Sequence, residues 1–141
     1  MDNLEQILEE ILCSAYTKLI YHEEKILKNL NSLTLKECHT LDVIYHTMRS
    51  HSNTSSNIAQ ILNITLGTLT TNIDRLMEKG YVRREKSEKD KRISVIILTE
   101  EGMNIRKKHE NSHKKIVRTA IEKLSTSEKV ALMNAINKIE M

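Results

Sequence analysis

The chain has no proline, tryptophan or phenylalanine in its 141 residues, and only three glycines and two cysteines. Without proline, helices can run long and unbroken. Without Trp and Phe, a core has to be assembled mainly from Ile, Leu, Val, Met and Ala. Cys13 and Cys38 are too few for a disulfide scaffold and lack any CxxC spacing, so both thiols are expected to be reduced in a cytoplasmic protein. No apolar run approaches the ~20 residues that a membrane span needs. The N-terminal MDNLEQILEE is acidic where an export signal is basic. Nucleophile elbow, P-loop, Gly-rich fingerprint and zincin motif are all missing, so neither an enzyme nor a bound cofactor or metal is expected.

The remaining composition is that of a globular domain: 39% hydrophobic, 29% charged, with a net charge of +3. The length fits one domain. Leu4, Ile7, Leu8, Ile11, Leu12, Ala15 and Leu19 recur at helical spacing and predict a long first helix reaching towards Leu30, broken at Asn31 and Ser32. Thr34 and Glu37 form a capping box for a second helix to about Met48, with Leu41, Ile44 and Met48 on one face. Thr54 caps a short helix with Ile58, Ala59 and Leu62 inside. After a tight turn at 63–65, Thr65 caps a fourth helix that Gly80 stops. Leu69, Ile73, Leu76 and Met77 are its predicted inner face. YVRRE and ISVIIL read as a hairpin around KSEKDKR. Thr99 caps a helix to about Leu124, and Ser125 with Glu128 starts a last one.

A short helix, a turn and a helix with a small, polar outer face make a helix-turn-helix pattern. Gly67 and Thr68 at the start of the second helix allow a close backbone approach, and Thr70, Thr71, Asn72 and Arg75 can bond bases or phosphates. An ordinary solvated helix face explains these residues equally well. The hairpin tips the balance. Between Lys79 and Arg92 stand seven cations (Lys79, Arg83, Arg84, Lys86, Lys89, Lys91, Arg92) against three anions (Glu85, Glu88, Asp90), an excess of four where the whole chain has +3. A solvated loop explains charge, but not its placement beside a candidate recognition helix. Phosphates explain both.

NIAQILNITLGTLTTNIDRLMEKGYVRRE, followed by SEKDKR and LTEEG, resembles the winged helix-turn-helix of the MarR family of bacterial transcriptional regulators. The resemblance implies a mainly α (α+β) fold over 1–141, with dimerisation helices in 1–32 and 103–141 and a DNA-binding lobe in 34–100. It implies a homodimer on a palindromic operator, with Arg92 entering the minor groove and Asp90 orienting it. Thr54, Ser56, Thr65, Thr68, Thr70, Thr71, Asn72, Arg75, Lys86, Lys89, Asp90 and Arg92 are the expected DNA-binding set. LKECHTLDVIYHT and TLGTLTTNIDRLMEKGYV are similar to the fatty-acid-synthesis repressor (FabT-type) branch. That likeness implies repression of fatty-acid biosynthesis genes, with an acyl ligand or acyl-acyl carrier protein as effector. The cationic run from Arg106 to Arg118 is a candidate docking surface for the carrier protein. The alternative is a peroxide-sensing repressor using Cys13, or a drug-responsive one. His109 and His113 have ligand-compatible spacing but sit among lysines, and are expected on a solvated face.

Overall fold

A computed structural model of the chain describes residues 2–30 and 33–139. The described elements are α1 (Asp2–Lys28), α2 (Leu35–Arg49), α3 (Ser55–Leu62), α4 (Leu66–Glu78), β1 (Val82–Lys86), β2 (Ser94–Leu98), α5 (Glu100–Ile121) and α6 (Thr126–Ile136). This is the mainly helical architecture with one hairpin that the sequence predicts. The predicted break at Asn31 and Ser32 lies outside the described residues. The chain divides into two compact units, Met1–His109 and Glu110–Met141, the division falling within α5.

Local chemistry explains where the helices start. The Thr34 hydroxyl accepts from the Glu37 N–H at 3.2 Å, while the Glu37 carboxylate accepts from the Thr34 N–H at 2.9 Å. Ser125 and Glu128 form the same reciprocal box at α6, while Thr54 and Thr65 cap α3 and α4 by the hydroxyl alone, accepting from the Asn57 and Thr68 N–H groups. Three consecutive helices also end alike. His51, Asn63 and Gly80 adopt left-handed backbone with φ of 54°, 54° and 79°. In each case the following amide reaches back to a carbonyl five residues earlier: Ser52 to Thr47, Ile64 to Ala59 and Tyr81 to Leu76. Such ends turn the chain tightly enough to fold α2, α3 and α4 against one another.

The core of the first unit collects Leu41 and Ile44 from α2, Ile58 and Ala59 from α3, Leu69, Ile73 and Leu76 from α4, and Val82, Ile96 and Leu98 from the hairpin. Each fully buried aliphatic side chain contributes about 1.5–3 kcal/mol. Three predicted inner residues fall short of the core. Leu62 is only half-buried, and Met77 is exposed because it lies one residue, about 100° of helix, beyond the 69–73–76 stripe. Met48 is also half-buried, with its sulfur accepting from the Leu98 N–H at 3.2 Å.

In the hairpin, Val82 faces Leu98 and Arg84 faces Ile96 on the inner side, while Arg83 faces Ile97 and Glu85 faces Val95 on the outer. Its free edge is not left open. Thr54 bridges to Val95, the Ile96 N–H donates to the Asn53 carbonyl at 2.9 Å, and the Asn53 side-chain amide donates to the Ile96 carbonyl at 2.7 Å. The wing is therefore joined by backbone hydrogen bonds to the residues that begin α3. Ile93 is exposed, so only Ile96 and Leu98 of ISVIIL reach the core, the alternation a half-buried strand imposes.

Below the lobe, the last turn of α1 buries Ile26 and Leu27, with Glu23 beside them. The Glu23 carboxylate lies 2.5 Å from the His109 ring nitrogen, both side chains being buried. His109 is thus not on a solvated face; an acid 86 residues away in sequence meets it there. In the second unit α6 buries no residue, and Val130, Leu132, Met133 and Ile136 are exposed.

Candidate nucleic-acid interface

The α4 residues that carry chemistry occupy its outward face. Thr68, Thr71 and Arg75 are exposed and Asn72 half-buried, while Leu69, Ile73 and Leu76 point inward. Thr70 lies roughly 160° round the helix from Thr68, at about 100° per residue, so it lines the opposite edge. The face is not uniformly suited to an anion. Asp74 and Glu78 share it, which confines the phosphate-compatible part to the first turns, before Asp74.

The threonine hydroxyls are already committed. Thr70 donates to the Leu66 carbonyl at 2.9 Å and Thr71 to the Gly67 carbonyl at 3.2 Å. Thr65 accepts from the Thr68 N–H at 3.1 Å and shares a hydrogen bond with the Thr68 hydroxyl at 2.9 Å. With their protons turned to the backbone, Thr70 and Thr71 present oxygen lone pairs and methyl groups outward. Asn72 and Arg75 are the donors of this face. Thr54 is half-buried and spends its hydroxyl as the α3 cap, accepting from the Asn57 N–H at 3.3 Å, whereas Ser56 beside it is exposed.

At the hairpin tip, Asp90 holds Arg92 from three directions. Its Oδ1 accepts from the Arg92 backbone N–H at 3.0 Å and from Nε at 3.1 Å, and its Oδ2 from Nη2 at 3.2 Å. These bonds, the side-chain one foremost, keep the Asp90 carboxyl below its ordinary pKa. The Arg92 side chain nevertheless remains 91% exposed, so the fork is oriented while its remaining N–H groups face solvent.

The cation cluster is smaller in effect than its composition indicates. Lys79 lies 2.8 Å from the buried carboxylate of Glu37, tying the end of α4 to the start of α2. Arg83 pairs with Glu85 at 2.8 Å on the outer strand face. Arg84, half-buried, reaches Ser55 at 3.5 Å and Asp74 at 3.8 Å, joining the starts of α3 and β1 to α4. Among the described residues, Lys86, Lys89 and Lys91 are the cluster's cations with no acidic partner. In the sequence Arg84 shows only as charge, not as a brace; only the i, i+2 spacing of Arg83 and Glu85 on one strand face is readable locally.

One expectation outside the lobe needs correction. Arg106 is buried, 3.1 Å from Asp42, with its guanidinium 3.6 Å from the centre of the Tyr45 ring, so it cannot belong to a cationic docking surface; Lys107, Lys108, Lys114, Lys115 and Arg118 are exposed. Cys13, the thiol of the peroxide-sensing alternative, is exposed in the single chain. Cys38 is buried, and burial, reinforced by Glu23, Asp42 and Glu37, pushes its thiol pKa up to about 12 against the opposing Lys79. Among the described residues, no helix is long and apolar enough to cross a membrane.

The MarR family model matches residues 33–94. The chain is 37% identical over 83 residues to the uncharacterized HTH-type transcriptional regulator YfiV of Bacillus subtilis, covering 58% of this chain and 51% of YfiV. It is 29% identical over 108 residues to the HTH-type transcriptional regulator PecS of Dickeya dadantii, covering 77% and 65%. The matched part thus spans between about half and two thirds of the length of these relatives. Streptococcus pneumoniae FabT, solved in complex with DNA, superposes with a TM-score of 0.80 at 32% identity over 94% of this chain and 92% of that one. YusO of Bacillus subtilis superposes with a TM-score of 0.79 at 20% identity over 98% and 95%, a likeness of fold.

Proposed function

The chain belongs to the MarR family, and from that premise we propose that it is a homodimeric, sequence-specific DNA-binding transcriptional regulator acting as a repressor on a palindromic operator. The observation that carries this reading is Arg92, oriented by Asp90 yet almost wholly exposed at the wing tip, next to a helix with a polar outward face. In the reading, α4 enters the major groove and Arg92 the adjacent minor groove, where negative potential is greatest. Lys86 and Lys89 neutralise phosphates, while the Ser56 hydroxyl and the N–H groups at the start of α3, capped by Thr54, donate hydrogen bonds to another. Thr68, Thr70 and Thr71 suit partners that offer a donor or a methyl group, such as an adenine or cytosine amino group or a thymine methyl. Asn72 and Arg75 supply the complementary donors, and Thr65 holds the helix start in register.

A mobility-shift titration with promoter DNA tests the reading. Binding is expected to weaken steeply with salt, and Arg92→Ala to cost about 1–3 kcal/mol. An Arg92→Ala loss below a few tenths of a kcal/mol removes the minor-groove role; no shift at low salt removes the function.

The likeness to FabT over 94% of this chain supports a narrower reading, in which the regulated genes are those of fatty-acid biosynthesis; the resemblance to that branch implies an acyl ligand or acyl-acyl carrier protein as effector. The exposed lysines of α5, without Arg106, would meet an acidic carrier. Mapping bound genomic sites decides it: sites beside peroxide-defence or drug-export genes would replace it with the corresponding reading. In the peroxide case Cys13→Ser would abolish the response.

A further inference from the structure

A groove of about 190 Å³ runs between α2 and the helix-turn-helix, lined by Lys36, His39 and Thr40 on one side and Leu62, Ile64, Thr68 and Asn72 on the other. Spacings of three and four put Lys36, His39 and Thr40 on one stripe of α2, and a spacing of four puts Thr68 and Asn72 on one stripe of α4. The floor is closed and spoken for: Thr40 is buried and donates to the Lys36 carbonyl at 2.8 Å. The mouth is not. Lys36 and His39 are exposed, and among the described residues neither makes an ion pair or side-chain hydrogen bond. The nearest acid in sequence, Glu37, is occupied elsewhere, accepting from the Thr34 amide and from Lys79 at 2.8 Å. The groove therefore offers one fixed cation, one imidazole, a half-buried amide and a hydroxyl, with no carboxylate among the residues that line it.

We propose that Lys36 and His39 are DNA-contacting residues, holding a backbone phosphate at the mouth of this groove beside the base pairs that Thr68 and Asn72 face. The proposal rests on the DNA-binding reading above and deepens it. It adds a third point of backbone contact, from α2, to those from the wing and from the start of α3. Because a phosphate contact carries no sequence information, its loss weakens specific and non-specific duplexes alike. Asn72 is half-buried in the same groove, so the phosphate would also fix the register in which that amide meets a base edge.

The test is the slope of log Kd against log salt for the full-length protein on a palindromic promoter duplex and on an unrelated duplex. Lys36→Gln is expected to lower the slope by about 0.9 per protomer, close to 2 for a dimer, and to weaken both duplexes by the same factor. Lys36→Arg should restore both. His39→Gln should weaken binding in the same uniform manner, while Lys123→Gln, exposed between α5 and α6, should leave slope and affinity unchanged. Slopes and affinities of Lys36→Gln and His39→Gln equal to the parent's would overturn the proposal while leaving the DNA-binding reading intact. If instead the parent binds neither duplex at low salt, it is that underlying reading that fails.

Discussion

Several single residues have consequences that do not depend on the DNA. Burial foremost, and then the charges of Glu23, Asp42 and Glu37, raise the Cys38 thiol pKa to about 12. A thiol that ionises only above the ordinary value of 9.0 is unreactive near neutrality, because the thiolate is the nucleophile. Maleimide labelling followed by peptide mapping is expected to modify Cys38 only after denaturation. The same shift has a stability sign. Below pH 9 both states keep the proton; between 9 and 12 the unfolded thiol ionises while the folded one does not, so stability falls across that window. A Cys38→Ser variant should lose that part of the alkaline decline.

Glycines at the residue scale separate packing from function. A Cβ on Gly102 would lie 2.0 Å from the Tyr81 carbonyl oxygen, which already accepts from the Thr99 N–H at 3.0 Å. Backbone on both sides leaves nothing to yield, so Gly102→Ala should cost about 1–3 kcal/mol in chemical denaturation. Gly67 is the contrary case. Its added Cβ would meet only the Thr65 hydroxyl oxygen, at 4.0 Å. Gly67→Ala should stabilise the fold by about 0.5–1 kcal/mol, alanine being the better helix former. If DNA affinity drops nonetheless, the missing side chain serves close approach to the duplex; unchanged affinity excludes that role.

At the scale of elements, the wing is held by a residue that composition marks only as polar. Asn53 offers its carbonyl to the Ile96 amide and its side-chain amide to the Ile96 carbonyl, 43 residues on. Asn53→Ala keeps the backbone bond but orphans a buried carbonyl lone pair, and should lower stability by about 1–3 kcal/mol. Faster amide exchange confined to β2 and the start of α3 would identify the wing as the part released; uniform loosening would contradict that account. The same contrast explains what the sequence made legible. Caps at Thr34, Thr54, Thr65 and Ser125 and the stop at Gly80 were readable because each is decided within about four residues, and the strand pair because two adjacent apolar, β-branched runs flank one polar loop. Asp90 and Arg92 are two apart, and their contact agrees with the family pattern. Asn53 with Ile96, Lys79 with Glu37, Arg84 with Asp74 and Glu23 with His109 were not readable, because a charge or an amide says nothing of which distant partner folding brings to it. For that reason the cluster looked more positive in sequence than its ion pairs leave it, and Arg106 passed for a surface cation.

For the molecule as a whole, the unanswered demand is burial. Leu4, Leu8, Ile11, Leu12 and Leu19 along α1 are exposed in the single chain, and so are Val130, Leu132, Met133 and Ile136 along α6. Aliphatic rows of this length are what a self-complementary interface covers, and covering one releases about 1.5–3 kcal/mol per side chain. A double change, Leu8→Glu with Leu12→Glu, adds charge at positions that face water in the monomer, so helicity by circular dichroism should be kept. In the proposed dimer those carboxylates would be buried without partners, so sedimentation is expected to show a monomer for the variant and a dimer for the parent. DNA reads the same event differently. Two joined lobes bind a palindrome with the second contact made intramolecular, an advantage of roughly 10²–10⁴ in affinity. The monomer should lose that factor on a full operator, yet bind an isolated half-site as well as one lobe of the parent does. A variant that stays dimeric with full operator affinity would mean that the α1 row is covered by something other than a second copy.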